Sequence, residues 1–279
     1  MPQKPTQQHG ILVLNKPQGP TSSACVQKIK RGLCQPKIGH AGTLDPMATG
    51  VLVVLLGQGT KLAPYITAGT KIYQGTLELG KETDTYDIQG TVTETFSWGH
   101  LTAEQVKQEI LAWQHLRDQI VPPYAAAKHK GRALYAIARS GKEVPIKTKP
   151  VSIDQVQVLH VELPGVGFRL RCSAGTYVRS LAHSLGKRLG CGAVLTSLIR
   201  EEAEPFTLHQ AHSLDSVLSE PERLTERIIS LENSLPHWPR VRVTQAQADQ
   251  IRNGTWLPTD QVSDREPSSP GQKALLLAP

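Results

Sequence analysis

The sequence predicts an α+β fold built around a mixed, largely antiparallel sheet. Segments with the two-residue alternation of strands are interspersed with segments that have the periodicity of amphipathic helices. They do not follow the regular strand–helix–strand order of parallel α/β proteins, and no internal repeat divides the chain. With 279 residues, 39% of them hydrophobic, the chain can form two domains or one large domain with a small addition.

The N-terminal part of the chain is predicted to form two strands, one helix and one loop. Residues 11–14 (ILVL) and 51–56 (VLVVLL) are apolar runs typical of buried strands. Between them, a helix that one of residues 21–23 can cap extends to about Leu33. Glycine, threonine and proline recur through residues 39–50, and this pattern predicts a loop.

The central part of the chain adds two alternating strands and two helices. Residues 71–79 alternate so that Tyr73 shares the apolar face of a strand with two leucines. Residues 102–105 (TAEQ) match a capping box at the start of an amphipathic helix. Residues 166–172 alternate as a second strand, and a helix over 176–189 follows, which the next glycine ends.

Charge is distributed unevenly along the chain, whose formal net charge is +7. Residues 1–77 contain eight Lys or Arg and one acid, and residues 121–150 contain seven Lys or Arg and one acid. Residues 201–235 reverse the sign, with eight acids and two arginines. This asymmetry predicts a side that faces a polyanion, although a basic stretch can also be an ordinary solvated surface.

Several classes of protein are disfavoured by what the sequence lacks. The longest apolar run, residues 51–56, is far shorter than a membrane span, and the first ten residues have no signal-peptide core. The four cysteines are isolated, so a disulfide framework or zinc site is disfavoured and a reducing, cytoplasmic compartment is expected. The glycine motifs of phosphate and dinucleotide sites, HExxH, and GxSxG are absent.

Asp45 and Arg179 are the residues most suggestive of chemistry. Asp45 is the one acid in the first 77 residues, and it lies between apolar neighbours in a glycine-rich segment. Such an aspartate can be a simple turn former, or a carboxylate that needs a cationic partner because its surroundings are partly dry. Arg179 lies in the first turn of a helix, where the dipole disfavours a cation. It is either solvated or fixed by a carboxylate or phosphate, and spacing alone does not join the two residues.

Four motifs resemble those of the TruB-type tRNA pseudouridine-55 synthases. They are GHAGTLDPMATGVL at 39–52, Tyr73 followed by LGKETDTYDIQG at 79–90, VPPYAAAKHKGRALYAIARSG at 121–141, and CSAGTYVRSLAHSLG at 172–186. The resemblance extends over about residues 11–200. It implies the pseudouridine synthase fold with a central active-site cleft, and isomerisation of uridine 55 in the T-arm of tRNA. It implies that the reaction uses no cofactor and no metal ion.

The resemblance also implies roles for individual residues. Asp45 would be the catalytic nucleophile acting on a base flipped out of the T-loop, and Arg179 would pair with it. Tyr73 would stack on the flipped base, although it could be an ordinary core tyrosine. His40 would fill space near the flipped nucleotide, or simply pack within its loop. Lys16 and Leu198 would line the pocket.

The expected domain organisation is a catalytic domain over residues 1–236 and a short PUA-like module over 237–279. Residues 121–150 are interpreted as a mobile insertion that clamps the T-arm with exposed cations, among them Lys128, Lys130 and Arg132. Residues 241–254 resemble the start of a PUA module, and a Pro/Ser/Gly stretch over 266–271 follows.

Three functions remain open from the sequence. The first is a monomeric tRNA uridine-55 isomerase without an obligate protein partner. The second is an RNA-binding or tRNA-folding protein whose main role is not catalytic. The third is a guide-RNA-dependent relative acting on ribosomal RNA, which would need partner proteins.

Overall fold

The structure, a computed structural model, describes residues 6–258 and 273–278. Among these residues the α-helices are α1 (Ser22–Gly32), α2 (Ala63–Ala68), α3 (Ala103–Leu111), α4 (Leu134–Arg139), α5 (Val178–Leu189), α6 (Leu214–Ser219) and α7 (Gln245–Arg252). The strands are β1 (Gly10–Lys16), β2 (Ile38–Ala41), β3 (Thr49–Leu56), β4 (Lys71–Leu79), β5 (Lys81–Thr83), β6 (Val92–Thr95), β7 (Asp118–Ile120), β8 (Lys128–His129), β9 (Arg132–Ala133), β10 (Thr148–Pro150), β11 (Ile153–Glu162), β12 (Gly165–Cys172), β13 (Ala193–Ala203), β14 (Phe206–Thr207), β15 (His212–Ser213), β16 (Ile228–Ile229), β17 (Arg240–Arg242) and β18 (Leu275–Leu277).

A mixed sheet forms the centre of the fold. Its main strands follow the order β11-β12-β4-β13-β3-β1-β15. Neighbouring strands pair antiparallel, except that β13 pairs parallel with β3 and β1 pairs parallel with β15. The predicted α+β class with a mixed, largely antiparallel sheet is therefore confirmed.

The two central strands β1 and β3 are buried on both faces. In β1, Leu12 and Leu14 belong to one apolar cluster, whereas Ile11 and Val13 belong to a second cluster on the opposite face. The residues of β3 divide between the same two clusters. Double burial explains why both strands are continuous apolar runs instead of alternating sequences.

Helices α1, α3 and α5 cover one face of the sheet and share a core with it. Their buried residues, which include Ile29, Ile110 and Leu185, belong to the same cluster as Leu12 of β1. Helix α5 approaches β13 closely, because a Cβ atom added at Gly186 would lie 2.1 Å from the backbone nitrogen of Ala193. This close approach sets the distance between α5 and the sheet, and hence the position of Arg179 relative to the sheet.

The elements predicted from local patterns are present, with one difference around His40. Thr21 caps α1, the capping box of Thr102 opens α3, and Gly190 ends α5 in the left-handed conformation. The predicted loop over 39–50 is wrong at its ends, because β2 pairs with β3 and places His40 opposite Val54. Residues 38–41 look irregular in sequence, but they pair with an edge of β3. The turn before β3 is therefore shorter than the predicted loop.

The segment 121–150 has a small core of its own. Val121, Ala125 and Leu134 are buried together, and helix α4 lies within this segment. Strands β8 and β9 form a two-stranded hairpin that carries exposed cations. The interpretation of this segment as a mobile excursion remains a prediction.

The C-terminal residues pack against the rest of the fold. Strands β17 and β18 pair in parallel, and Trp238 contacts Tyr65 of α2 through an edge-to-face ring contact. The predicted division at residue 236 and the PUA-like character of 237–279 remain expectations, and the stretch 266–271 lies outside the described residues. No helix in the described part of the chain has the length and apolar composition needed to cross a bilayer.

Candidate active site

Asp45 lies in a tight turn between β2 and β3, here called the Asp45 turn, with buried apolar residues on both sides. Leu44 and Met47 are buried, whereas the side chain of Asp45 is 33% exposed. The backbone nitrogen of Ala48 donates to the carbonyl of Asp45 at 3.1 Å and closes the turn. The apolar neighbours thus fix the turn to the core and leave the carboxylate at the surface of a cavity.

Two polar residues hold the Asp45 turn from the inside. The hydroxyl of Ser22, in α1, accepts a hydrogen bond from the backbone nitrogen of Leu44 at 2.8 Å and donates one to the carbonyl of Leu44 at 3.0 Å. Lys16, whose side chain is fully buried, donates to the carbonyls of Pro46 and Ala48 at 3.3 and 2.7 Å. Burial lowers the pKa of Lys16. Lys16 was expected in the pocket lining, but it lies beneath the turn because its ammonium group bonds the carbonyls there.

Arg179 forms a bidentate ion pair with Asp45. Its Nε donates to Oδ2 at 2.8 Å and its Nη2 donates to Oδ1 at 3.0 Å. Arg179 is 4% exposed, so the guanidinium is almost withdrawn from water while the carboxylate is not. The structure therefore joins two residues that are separated by 134 positions in sequence. The planar fork fixes the orientation of the carboxylate.

Further groups surround the guanidinium of Arg179 and complete its hydrogen bonds. Its Nη1 donates to the carbonyl of Thr85 at 2.7 Å, and its Nη2 donates to the carbonyl of Tyr124 at 3.1 Å. The Oδ2 atom of Asp87 lies 3.6 Å from Nε, and burial raises the pKa of Asp87. Arg179 therefore connects the Asp45 turn, the β5 region and the segment 121–150.

The ion pair opens onto a cavity of about 230 Å³. Tyr73 of β4 and Leu198 of β13 are both part of its lining. Tyr73 is 8% exposed, and burial raises the pKa of its phenol. The phenol is therefore a neutral ring in the same cavity lining as the Asp45 carboxylate. The alternation of β4 correctly predicted that Tyr73 faces inward.

Arg200 is a buried cation that sequence reasoning missed. It is 1% exposed, and it donates to the carbonyls of Val51, Thr43 and Gly42 at 2.7, 3.4 and 2.9 Å. It also lies opposite Tyr73 in the pairing of β13 with β4. Arg200 thus holds the start of the Asp45 turn and lies beside the phenol.

Gly50 allows the close approach of β3 to Arg200. Its φ is +97°, and a Cβ atom there would lie 2.3 Å from the carbonyl oxygen of Arg200. A side chain at this position would therefore displace the strand that carries the guanidinium.

Lys71, at the start of β4, is a further buried cation in the cavity wall, in addition to Arg179 and Arg200. It is 5% exposed, and its Nζ donates to the carbonyls of Thr67 and Gly69. Burial, assisted by the nearby charge of Arg200, lowers the pKa of Lys71 to about 8. No motif distinguishes Lys71 or Arg200, since both bond backbone carbonyls that any residue can offer.

The remaining predicted site residues lie outside the lining of this cavity. His40 lies in β2, where its Nδ1 is buried without a hydrogen-bond partner among the described residues, and burial lowers its pKa. Lys128, Lys130 and Arg132 lie on the β8–β9 hairpin with exposed side chains. In the described ranges 6–258 and 273–278, no group of three or more His, Cys, Asp or Glu could hold a metal ion.

Comparisons with known proteins agree with this fold. Residues 30–178 match the family described as "TruB family pseudouridylate synthase (N terminal domain)". The chain is 54% identical over 277 residues to "tRNA pseudouridine synthase B" of Nitratidesulfovibrio vulgaris (strain DSM 19637 / Miyazaki F), covering 99% of this chain and 90% of that protein. It is 39% identical over 256 residues to the protein of the same name from Thermotoga maritima, covering 92% and 82%.

Solved structures show the same fold. A chain of "Crystal Structure of a Cbf5-Nop10-Gar1 Complex" superposes with a TM-score of 0.68 at 26% identity, covering 89% of this chain and 68% of that chain. A chain of "Structure of H/ACA RNP bound to a substrate RNA containing 2'-deoxyuridine" superposes with a TM-score of 0.70 at 23% identity, covering 97% and 74%.

Fold and site together define the class: an enzyme of the pseudouridine synthase type, with an aspartate and an arginine paired in a central cavity. More specifically, the chain belongs to the TruB family of pseudouridylate synthases.

Proposed function

We propose that this protein isomerises uridine 55 in the T-arm of tRNA to pseudouridine, with Asp45 as the nucleophile. The observation that carries the proposal is the bidentate Asp45–Arg179 pair at the edge of a cavity. Relatives that cover 92% and 99% of the chain carry the name tRNA pseudouridine synthase B, which supports tRNA as the substrate.

The reaction rearranges one nucleotide without an external reactant. The bond between N1 of uracil and C1′ of ribose breaks, a bond from C5 to C1′ forms, and the proton on C5 is exchanged for one on N1. No electrons or atoms enter or leave, so the reaction needs no redox cofactor. What it needs is an ionised carboxylate beside the nucleoside and a pocket in which the uracil can turn.

The residues around Asp45 are suited to these two needs. Arg179 directs the carboxylate, because its Nε and Nη2 each donate to one carboxylate oxygen and hold the carboxylate in a fixed plane. Tyr73 and Leu198 offer a flat ring and an apolar wall to a flipped base. A carboxylate that is 33% exposed remains accessible to the nucleoside while its partner is buried.

The basic segment 121–150 supplies the RNA-binding surface in this proposal. Lys128, Lys130 and Arg132 are close in sequence and exposed, as expected for residues that bind phosphates. The same segment contacts Arg179 through the carbonyl of Tyr124. We assign it as a clamp on the T-arm, within a catalytic domain over 1–236 that acts as a monomer without protein partners.

Mapping of pseudouridine in a tRNA transcript tests the proposal. The purified chain is incubated with unmodified tRNA and with a T-arm stem-loop, in the presence of a chelator. We expect pseudouridine at position 55 in both RNAs, and none in a matched transcript with cytidine at that position. Absence of product, product at another uridine, or product that disappears with the chelator would contradict the proposal.

A further inference from the structure

Lys71 is a buried cation to which the reaction derived above gives no role. It lines the cavity that contains the Asp45–Arg179 pair, here called the catalytic cavity, and so does Tyr73, two residues further along β4. Both side chains lie on the buried face of the strand, where residues two positions apart are separated by about 7 Å. The ammonium group of Lys71 is therefore placed beside the edge of a base that stacks on the Tyr73 ring.

The hydrogen bonds of Lys71 leave one donor for a ligand. An ammonium group has three N–H donors, and Nζ directs two of them to the carbonyls of Thr67 and Gly69. No described residue accepts a hydrogen bond from the third. Because both acceptors are neutral carbonyls, no carboxylate at hydrogen-bond distance compensates the charge within the described part of the chain.

The two arginines in the lining of the catalytic cavity are committed to the protein. Arg179 donates to both oxygens of Asp45 and to the carbonyls of Thr85 and Tyr124. Arg200 donates to three carbonyls, two of them at the start of the Asp45 turn. Their charges are thus positioned to hold the turn and its carboxylate, which leaves Lys71 as the cation of the lining that is available to a substrate.

The proposed reaction places negative charge on the base. In one route, Asp45 forms a bond to C1′ as the bond from C1′ to N1 breaks, and in the other it takes the proton of C2′ during elimination. In both routes the electron pair of the broken bond stays with uracil. The base becomes an anion whose charge is shared between N1 and the two carbonyl oxygens. A preorganised cation interacts more strongly with this anion than with the neutral base, and it therefore accelerates the reaction.

We propose that Lys71 is a further catalytic residue, whose ammonium group donates a hydrogen bond to a carbonyl oxygen of the departing uracil and stabilises the base anion. This inference rests on the proposed function. Lys71 neither gains nor loses a proton, so the bonds that break and form remain those of the isomerisation. A phosphate is a less suitable partner, because Lys71 is 5% exposed and a phosphate beside it would lose most of its hydration.

Lys71 is charged at neutral pH and loses this charge at moderately alkaline pH. Its pKa is lowered to about 8 by burial and by the charges of Arg200 and Lys149, whereas Cys172 and Glu204 act in the opposite direction. Burial raises the pKa of Cys172 to about 11, so that its thiol stays neutral over this range. The protonated form of Lys71 therefore predominates below about pH 8 and is lost as the pH rises further.

Single-turnover kinetics with a T-arm stem-loop at saturating protein test the inference. We expect Lys71→Met to lower the rate of pseudouridine formation about 10²-fold, as for removal of one preorganised donor. The dissociation constant, measured in the Asp45→Asn background, should change by no more than about twofold. Lys71→Arg retains the charge and should recover the rate to within about tenfold of the unaltered chain. Lys107→Met, at an exposed position of α3, is the matched control and should leave the rate unchanged.

The pH dependence of the rate separates catalysis from a structural role. A neutral lysine amine retains two N–H donors, enough for the carbonyls of Thr67 and Gly69, but it has no charge. A structural role is therefore insensitive to this titration. We expect the rate of the unaltered chain, divided by that of Lys71→Arg, to fall about tenfold or more between about pH 7 and about pH 9.5, since arginine stays charged. The ratio cancels the titration of the target base and of other groups that both proteins share.

The possible results decide between these roles. If the ratio is independent of pH, or if Lys71→Arg is as slow as Lys71→Met, Lys71 acts only through its carbonyl bonds and the inference is wrong. It is also wrong if Lys71→Met keeps the rate of the unaltered chain, or weakens RNA binding as much as it lowers the rate. Absence of product with the unaltered chain would overturn the proposed function, whereas product with a ratio that does not change with pH would overturn this inference alone.

Discussion

The catalytic cavity and the segment 121–150 both depend on cations, but they hold them in opposite ways. Around the cavity, Lys16, Arg179 and Arg200 are buried and donate to backbone carbonyls or to Asp45. In the segment 121–150, the cations are exposed or half-buried, and none forms a salt bridge with a described residue. Buried cations fix geometry, whereas exposed cations contribute affinity for a polyanion that falls with added salt.

This contrast implies that chemistry and RNA affinity are separable by mutation. Substitutions among the buried cations should lower the rate of isomerisation or the stability of the fold, with little effect on RNA binding. Substitutions among the exposed cations should do the reverse. A variant that lowered the rate of isomerisation and the RNA affinity equally would contradict this separation between buried and exposed cations.

Among substitutions of the buried and exposed cations, the largest effect is expected for Arg179→Lys. Lysine keeps the positive charge but cannot make the two parallel bonds to Asp45 or the bonds to the carbonyls of Thr85 and Tyr124. We expect the single-turnover rate of pseudouridine formation to fall about 10²- to 10³-fold, as when preorganised donors are removed from an active site. RNA affinity, measured by filter binding, should change little. A rate close to that of the unaltered chain would contradict this prediction, because it would show that a positive charge at position 179 supports the reaction without the bidentate geometry.

A somewhat smaller effect is expected for Arg200→Met, and mainly on stability. Methionine fills similar space but leaves three carbonyls without their donor, two of them at the start of the Asp45 turn. We expect the free energy of unfolding in urea to fall by about 3 kcal/mol, from the desolvation of buried acceptors. Arg223→Met is the matched control, because Arg223 lies in exposed pairs at the surface. Equal decreases in the free energy of unfolding for the two variants would show that Arg200 does not stabilise the Asp45 turn.

The smallest effect on chemistry is expected for replacement of Lys128, Lys130 and Arg132 together by alanine. Without these cations, RNA binding should weaken about tenfold or more, and the salt dependence of the binding constant should fall by about one unit for each phosphate that the protein no longer neutralises. The single-turnover rate at saturating protein should be retained. Arg223→Ala, on the acidic part of the chain, serves as the control. An unchanged salt dependence would remove these residues from the RNA interface.

Strand faces and helix ends were predictable because they depend on residues that are close together in the sequence. The alternation of β4 placed Tyr73 inward, and the glycine after α5 marked the end of the helix. The extent of the Asp45 turn was overestimated, since pairing of His40 with the edge of β3 depends on a partner that no local pattern reveals.

The candidate site was predictable only in part. Asp45 and Arg179 were brought together by family resemblance, since spacing alone could not join them. Arg200 and Lys71 were missed because their acceptors are backbone carbonyls, which leave no signature in the sequence. Asp87 is one of several acids in its motif, and only the fold shows that it is the one beside Arg179.

The most direct test of the central claim is Asp45→Asn. An amide of the same shape preserves the turn and keeps an acceptor for Arg179, but it cannot act as the nucleophile. We expect single-turnover formation of pseudouridine in a T-arm stem-loop to fall by about 10³-fold or more, while the dissociation constant for the RNA changes by no more than about twofold. Isomerisation at a rate near that of the unaltered chain would contradict the account.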